Sequence, residues 1–352
     1  MSAVAAAADI AHAADIVPRL LDVYREQTLA VLLAELPQRS PDYLYELIPS
    51  YPRRPAKGLR AALCLATCKA LGGSVERALN SAAAIELFHN AFLVYDDVQD
   101  ESESRRGGPT LVAEHGVGIA VNVGNAMNLL ALGRLMANRR SLGPNLAWRI
   151  MTEAEEMMRH SLEGQAIELG WIRDNVCDLT EDDYYRMCLK KTSWYTCIFP
   201  CRIGALIAGP ERIDLDRLYR FGWYLGAAFQ IQDDILNLVG DYEKYGKEIG
   251  GDLQEGKRTL MLIHLLGTAS PEERATLQAF LARPRRERLA TDVRWLHGLL
   301  VERGAIDFAR RCARQLAAAA FAEGLAALRD VPDSEDKSFL LETALYVVSR
   351  ER

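Results

Sequence analysis

Two groups of aspartates stand at the ends of apolar runs. The first lies in Phe88–Thr110, FHNAFLVYDDVQDESESRRGGPT, where Asp96, Asp97 and Asp100 precede Arg105, Arg106 and a Gly-Gly-Pro break. On a helix Asp96 and Asp100 are one turn apart and share a face, with Asp97 flanking them. No positive side chain lies within that turn, and like charges at this spacing repel. Carboxylate oxygens are hard ligands, and Mg²⁺ is typically held by one or two of them together with substrate phosphates. The second group lies in Phe229–Asp241, FQIQDDILNLVGD, with Asp233 and Asp234 followed by Asn237 where a third aspartate would stand. Two such clusters read as two walls of one metal site. The competing reading is that each caps its own helix.

The elements that must position them are helices. Apolar residues recur at helical spacing over Ile16–Pro37, and Leu59–Leu71 is a second apolar helix. Gly72-Gly73-Ser74 stops it, and Ser74 is placed to cap a helix running to the first aspartates. Further helices are expected over Asn122–Ala137, Leu146–Leu169, Tyr184–Leu189 behind a Thr180-Glu-Asp-Asp start, Ser193–Ala208, and Leu215–Val239, which carries the second cluster. Gly240–Thr259 reads as a loop. The remaining expected helices are Leu260–Leu266, Pro271–Ala282, Ala290–Arg303, Ile306–Leu328 and Ser338–Val348. Runs of period-two alternation are missing, so the chain is all-α: about a dozen helices around one core. One domain is expected over 16–352 behind a flexible Ala-rich tail, 1–15, and Arg350-Glu351-Arg352 reads as a frayed end, with folding over the site as the alternative.

The chain has 352 residues, 49% of them hydrophobic, which is ample for a buried core. A net charge of −6 and the lack of a basic stripe argue against nucleic acid as a partner. Cys64/Cys68 and Cys197/Cys201 are spaced by four within apolar runs and read as core thiols, as do Cys177, Cys188 and Cys312. An odd cysteine count behind a poor signal peptide fits a reducing cytoplasm. No apolar run is expected to span a membrane.

Taken together, Lys57 and Arg60, His89, Asp96-Asp97-x-x-Asp100, Arg105-Arg106-Gly107, Lys191-Thr192, Phe229-Gln230-x-x-Asp233-Asp234, and Gly246-Lys247 through Gly256-Lys257 resemble the trans-isoprenyl diphosphate synthases, the polyprenyl synthetase family. The resemblance implies an isoprenoid synthase fold, a helical bundle around a deep central cavity, working as a homodimer. It implies a head-to-tail condensation of isopentenyl diphosphate with an allylic diphosphate, assisted by three Mg²⁺ ions held by Asp96, Asp100 and Asp233. Asp97 and Asp234 are either ligands or orienting groups. By family position, Lys57, Arg60, His89 and Arg106 would hold isopentenyl diphosphate. Arg105, Lys191, Gln230, Lys247 and Lys257 would hold the allylic diphosphate, with Thr192 beside them. Two diphosphates in a cavity lined by carboxylates need such cations. Each residue also has a plainer reading: surface charges at Lys57 and Arg60, a core histidine at His89, and Arg105-Arg106 paired with Glu101 and Glu103.

The sequence departs from the family pattern at Asn237, which brings no charge and suggests weaker metal affinity there, and at Ala56, Gly58, Ala61 and Glu168. Ala91 and Phe92, one turn before the aspartates, would form the floor that limits product length. Phe92 is large enough to imply a short product, C20 or C15. Two rival readings share the fold: a class I terpene cyclase, and a non-catalytic regulatory subunit of a prenyl synthase.

Overall fold

The computed structural model describes residues 3–209, 213–239 and 250–350, and for residues 3–15 the backbone alone. It is almost wholly helical. The elements are α1 (Ala3–Ala34), α2 (Asp42–Tyr45), a 3-10 turn (Ile48–Ser50), α3 (Leu59–Ala70), α4 (Val75–Gln99), α5 (Leu111–Ser141), α6 (Pro144–Arg173), α7 (Glu181–Cys188), a π-helical segment (Leu189–Ile198), α8 (Phe199–Ala208) and α9 (Leu215–Val239). Then come α10 (Gly251–Glu255), α11 (Leu260–Thr268), α12 (Pro271–Leu281), a 3-10 turn (Arg285–Glu287), α13 (Ala290–Glu302), α14 (Ala305–Ala327) and α15 (Glu335–Ser349).

Helix α3 shows why the bundle closes. Every residue in it except Lys69 is buried, as expected of a helix that is apolar on all sides. It packs against α4, α8 and α15, while α9 lies between α14 and the π-helical segment. Small residues let these helices approach closely. A Cβ on Gly164 of α6 would fall 2.1 Å from the Lys191 backbone nitrogen, and one on Gly226 of α9 would fall 2.5 Å from the Ser193 Cα. Both faces of the π-helical segment are therefore gripped by helices that have no side chain at the contact.

Several elements differ from the sequence reading. The tail expected to be loose is helical from Ala3, continuous with α1. Ser74 stands at the N-cap of α4 without a side-chain cap bond, whereas Thr180 and Asp183 form a full capping box on α7. The Gly-Gly-Pro break is the return strand of a two-stranded hairpin, Ser104–Arg105 against Gly108–Pro109. Helix α5 begins at Leu111, well before the expected Asn122, because Thr110 caps it through the Ala113 N–H and a kink at Gly116 (φ 77°) is absorbed by glycine. In the stretch read as a loop, Gly251–Glu255 is helical. Helix α5 is also long and apolar enough to cross a bilayer, which was not expected; here it packs on α4 and α6 and buries Arg134, which binds Asn80 and the Val31 carbonyl.

Candidate active site

The first cluster lies at the C-terminal end of α4, with Asp100 as its C-cap. Asp97, 1% exposed, is turned into the protein: Arg105 Nε donates to its Oδ1 at 2.6 Å and the Tyr51 hydroxyl donates to its Oδ2. Burial pushes the Asp97 carboxyl up, and Arg105 and Tyr51 pull it back. Burial alone would lower the Arg105 guanidinium, yet Asp97 and Asp96 hold it above its ordinary value. Asp97 therefore clamps Arg105 more closely than Asp96 does. Asp96 stays partly open and accepts from Arg105 Nη2 at 3.2 Å, with Lys191 Nζ at 4.0 Å. Arg105 pairs with these aspartates rather than with Glu101 or Glu103.

The hairpin turn sends the next arginine elsewhere. Arg106 has φ 52° and Gly107 φ 77°. That is the type I′ pattern, and its left-handed conformation costs a non-glycine residue about 1 kcal/mol. Arg106 Nη2 lies 3.2 Å from His89 Nε2, and Arg60 Nη1 lies 3.4 Å from the same atom. Arg60 also donates to Thr196 Oγ1 at 2.8 Å and lies over the Tyr195 ring at 4.5 Å, while His89 stacks on that ring at 6.1 Å. Burial, together with the neighbouring Arg105, Arg60 and Arg54, pushes Arg106 down to about 10, with Glu86 opposing. Glu86 is itself pushed up by burial and held back by Arg60 and Arg106. Lys57, half-buried, lies just before α3.

The second cluster lies on α9 and splits in the same way. Asp234, 6% exposed, accepts from Tyr184 at 2.9 Å and from Gln230 Nε2 at 2.7 Å, and Gln230 Oε1 accepts from Thr192 at 2.8 Å. Burial holds the Asp234 carboxyl well above its ordinary value. Asp233 is one-third exposed and carries the Arg350 guanidinium, which also donates to the Phe229 carbonyl at 3.2 Å and stacks on the Phe229 ring at 4.1 Å. Arg350 is thus docked on the site rather than frayed, while Glu351 and Arg352 lie outside the described residues.

The π-helical segment carries Lys191, Thr192 and Tyr195. Widened helical turns of this kind are frequent at functional sites. Lys191 Nζ binds Glu168, which is 7% exposed, and reaches toward Asp96. Burial would lower this ammonium, but Glu168 and Asp96 raise it. Lys257 lies among Asp100 (2.6 Å), Glu255 (2.6 Å) and Asp252 (3.6 Å). Asp100 is pushed up to about 7 by burial and by Asp96, against Lys257. Lys247 lies outside the described residues.

Asn237 joins the two walls. Its backbone carbonyl accepts from the Gly250 N–H at 2.7 Å and its side-chain Oδ1 accepts from the Asp252 N–H at 3.1 Å. It therefore fixes α10, the element that delivers Lys257 to Asp100, and its amide serves the fold at the place where a third aspartate was expected. Asp96, Asp100 and Asp233 each hold a cation from the protein: Arg105 at Asp96, Lys257 at Asp100 and Arg350 at Asp233. Among the described residues no group of three or more His, Cys, Asp or Glu side chains converges closely enough to hold a metal by itself. The donor set suits a hard cation that takes most of its oxygens from a phosphate ligand.

Comparison with known proteins adds a decisive match: the sequence profile described as polyprenyl synthetase covers residues 41–296. The chain belongs to the polyprenyl synthetase family. It is 31% identical over 318 residues to the geranylgeranyl pyrophosphate synthase of Geoglobus acetivorans, covering 90% of this chain and 93% of that protein. It is also 31% identical over 297 residues to the octaprenyl diphosphate synthase of Escherichia coli, covering 84% and 86%. Its fold matches the polyprenyl synthase of Caulobacter crescentus, solved with calcium and isoprenyl diphosphate, at a TM-score of 0.84 and 27% identity, covering 96% of this chain and 98% of that one.

Within this polyprenyl synthetase, Ala91 and Phe92 part company. Ala91 is fully buried in the packing of α4 on α5. Phe92 meets Tyr195 edge-on, with ring centroids 5.2 Å apart, beside His89 and Arg60. Only Phe92 faces the π-helical segment. Sequence reasoning passed over Tyr51, Arg54, Glu86, Tyr184 and Tyr195. Glu86, three residues before His89 on one helix face, was open to a spacing argument. Tyr51 and Arg54 were not, since they lie in irregular chain.

Proposed function

We propose that this chain is a prenyltransferase. It joins isopentenyl diphosphate head-to-tail to an allylic diphosphate and yields a short all-trans prenyl diphosphate, C20 ahead of C15. One observation carries this reading: the cations form two sets. Arg105, Lys191 and Lys257 lie on the aspartates, whereas Arg60 and Arg106 meet at His89. A cyclase handles one diphosphate and needs one set. A regulatory subunit needs neither cluster intact.

Asp96, Asp100 and Asp233 would hold Mg²⁺, three ions in all. Bound magnesium neutralises pyrophosphate and makes it a leaving group. Arg105, Lys191 and Lys257 bind the allylic diphosphate; Lys191 and Lys257 stay protonated because their acidic neighbours outweigh burial. Asp97 and Asp234 act as orienting groups, one for Arg105 and one for Gln230 and, through it, Thr192. Lys57, Arg60, His89 and Arg106 bind isopentenyl diphosphate next to the Tyr195 ring. The allylic C–O bond breaks with its electron pair leaving on pyrophosphate. The double bond of isopentenyl diphosphate then forms the new C–C bond, and a proton passes to the departing pyrophosphate. Phe92 and Tyr195 close the end of the chain-binding channel.

Two copies are proposed to associate. Leu129 (71% exposed) and Met136 (63%) on α5, and Trp148 (74%) and Leu162 (59%) on α6, recur at heptad spacing on adjacent helices. Such a face supports a protein contact. The seven free, buried thiols support a reducing compartment.

The test is incubation with isopentenyl diphosphate, Mg²⁺ and each of three allylic primers, with products identified by mass. Elongated diphosphates are expected. A purified sample that lengthens none of the primers, or that makes hydrocarbon from one primer alone, overturns the proposal.

A further inference from the structure

We infer that Arg54 is a positioning residue for both diphosphate sites, acting through the hairpin that carries Arg105 and Arg106. The inference rests on the reading of those two arginines as substrate-binding groups. Arg54 follows the 3-10 turn Ile48–Ser50. Its Nη1 donates to the Arg105 carbonyl at 2.9 Å and to the Gly108 carbonyl at 3.4 Å, and its Nη2 donates to the Pro109 carbonyl at 2.7 Å. The planar fork thus ties the two strands of the hairpin to one point. Behind it the guanidinium lies on the Tyr51 ring at 4.6 Å. Tyr51 in turn donates to Asp97 and accepts from the Leu111 N–H at 3.3 Å. One short segment therefore holds the hairpin twice: by its carbonyls through Arg54, and by the Arg105 side chain through Tyr51 and Asp97.

The hairpin needs this support. Its strands are two residues each, and an isolated hairpin is marginal even when longer. Its turn forces Arg106 into a left-handed conformation that arginine disfavours. Rotation of the turn would carry Arg106 away from His89 and Arg105 away from Asp96 together. Among the described residues Arg54 makes no ion pair with a carboxylate; its hydrogen bonds go to main-chain oxygens. Its contribution is therefore geometric. Room for it comes from Gly108, where an added Cβ would stand 3.3 Å from the Arg54 Cζ. Lysine cannot replace it, since a single ammonium lacks the fork that reaches both strands.

The experiment compares wild type with R54K, R54A, G108A and the R54A/G108A double variant. The KM for each diphosphate and kcat are normalised to the folded fraction from circular dichroism. R54A and R54K are expected to raise the KM for both substrates and to lower kcat/KM roughly 10- to 100-fold, as small displacements of binding groups do. G108A is expected to give a weaker loss of the same kind. It should add nothing once Arg54 is gone, because the two changes act on one contact. Wild-type KM values in R54A, or an additive double variant, overturn the inference. If the wild type itself fails to condense its substrates, the functional reading falls instead. Calorimetric binding of magnesium pyrophosphate and of isopentenyl diphosphate, which needs no turnover, then decides on Arg54: weaker binding of both in R54A supports it, and unchanged binding overturns it.

Discussion

Arg350 occupies the carboxylate that a metal ion would use, so its removal should be felt in the magnesium dependence. Its guanidinium is 6% exposed and Asp233 33%, which makes the pair half-open to water. An ion pair of that exposure contributes about 1 kcal/mol. The stacking on Phe229 at 4.1 Å is a contact separate from the ion pair with Asp233, and it need not be lost when a cation takes Asp233. Only the ion pair competes, and about 1 kcal/mol corresponds to roughly a fivefold change in an equilibrium constant. In Arg350→Ala, the Mg²⁺ concentration for half-maximal condensation should therefore fall roughly fivefold. Arg350→Lys should lie between the two, because an ammonium still reaches Asp233 but is more strongly hydrated. The hydrogen bond from Gln232 Nε2 to the Arg350 main-chain carbonyl, at 3.1 Å, does not involve the substituted side chain, so this stretch of main chain stays docked. The assay is a magnesium titration at saturating diphosphates, repeated as Mn²⁺ binding without substrates. An unchanged or raised half-saturation point in Arg350→Ala would refute the competition, and a rise would mean that Arg350 remains in place and helps to hold the diphosphate.

Phe92→Ala removes the ring that meets Tyr195 edge-on, and chromatography of the dephosphorylated products should show chains at least one isoprene unit longer; an unchanged distribution counts against this floor. Asp97→Ala leaves the Arg105 guanidinium buried without its main counter-charge, at a cost of about 3–5 kcal/mol in a urea titration, whereas an exposed acid would cost almost nothing. Burial pushes Cys68 up to about 11 and Cys201 up to about 12. The folded chain therefore keeps protons that the unfolded chain sheds above about pH 9, so this stabilising contribution is intact below pH 9 and is lost as pH rises toward 12, by about 1.4 kcal/mol per pH unit for each thiol. Urea midpoints at pH 8 and pH 10 should show the fall, and a thiol reagent at pH 8 should find native cysteines inert; equal midpoints would contradict it.

The charged residues of the site were open to sequence reasoning because their spacing carries the chemistry. Asp96 and Asp100 share a helix face, Arg105 and Arg106 follow at once, and Lys191 and Lys257 stand in motifs of their own. Which carboxylate faces outward was not open to it. Asp97 and Asp234 are turned inward by Tyr51 and Tyr184, both distant in sequence. Asn237 looked like a weakened ligand because its task is a main-chain bond to Asp252, invisible without the fold. The π-helical segment was read as parts of two helices, since apolar spacing does not distinguish a widened turn from an ordinary one. Ala91 and Phe92 are adjacent in sequence yet belong to different packing layers, so proximity to Asp96 did not decide which of them meets Tyr195. Docking of Arg350 on the site stood only as the alternative to a frayed end, because a charged residue near a chain end is usually solvated.

Asp96, Asp100 and Asp233 each hold an arginine or lysine of the same chain. On the proposed function, magnesium reaching Asp96 or Asp100 would compete with Arg105 or Lys257, which would keep Asp97 and Glu255 as partners, and a diphosphate would draw the same cations toward itself. With the two together, the aspartates would pass from lysine and arginine to metal while the freed cations passed to phosphate, so that each charge would keep a partner. On that reading the site would favour the metal–diphosphate pair over either component alone.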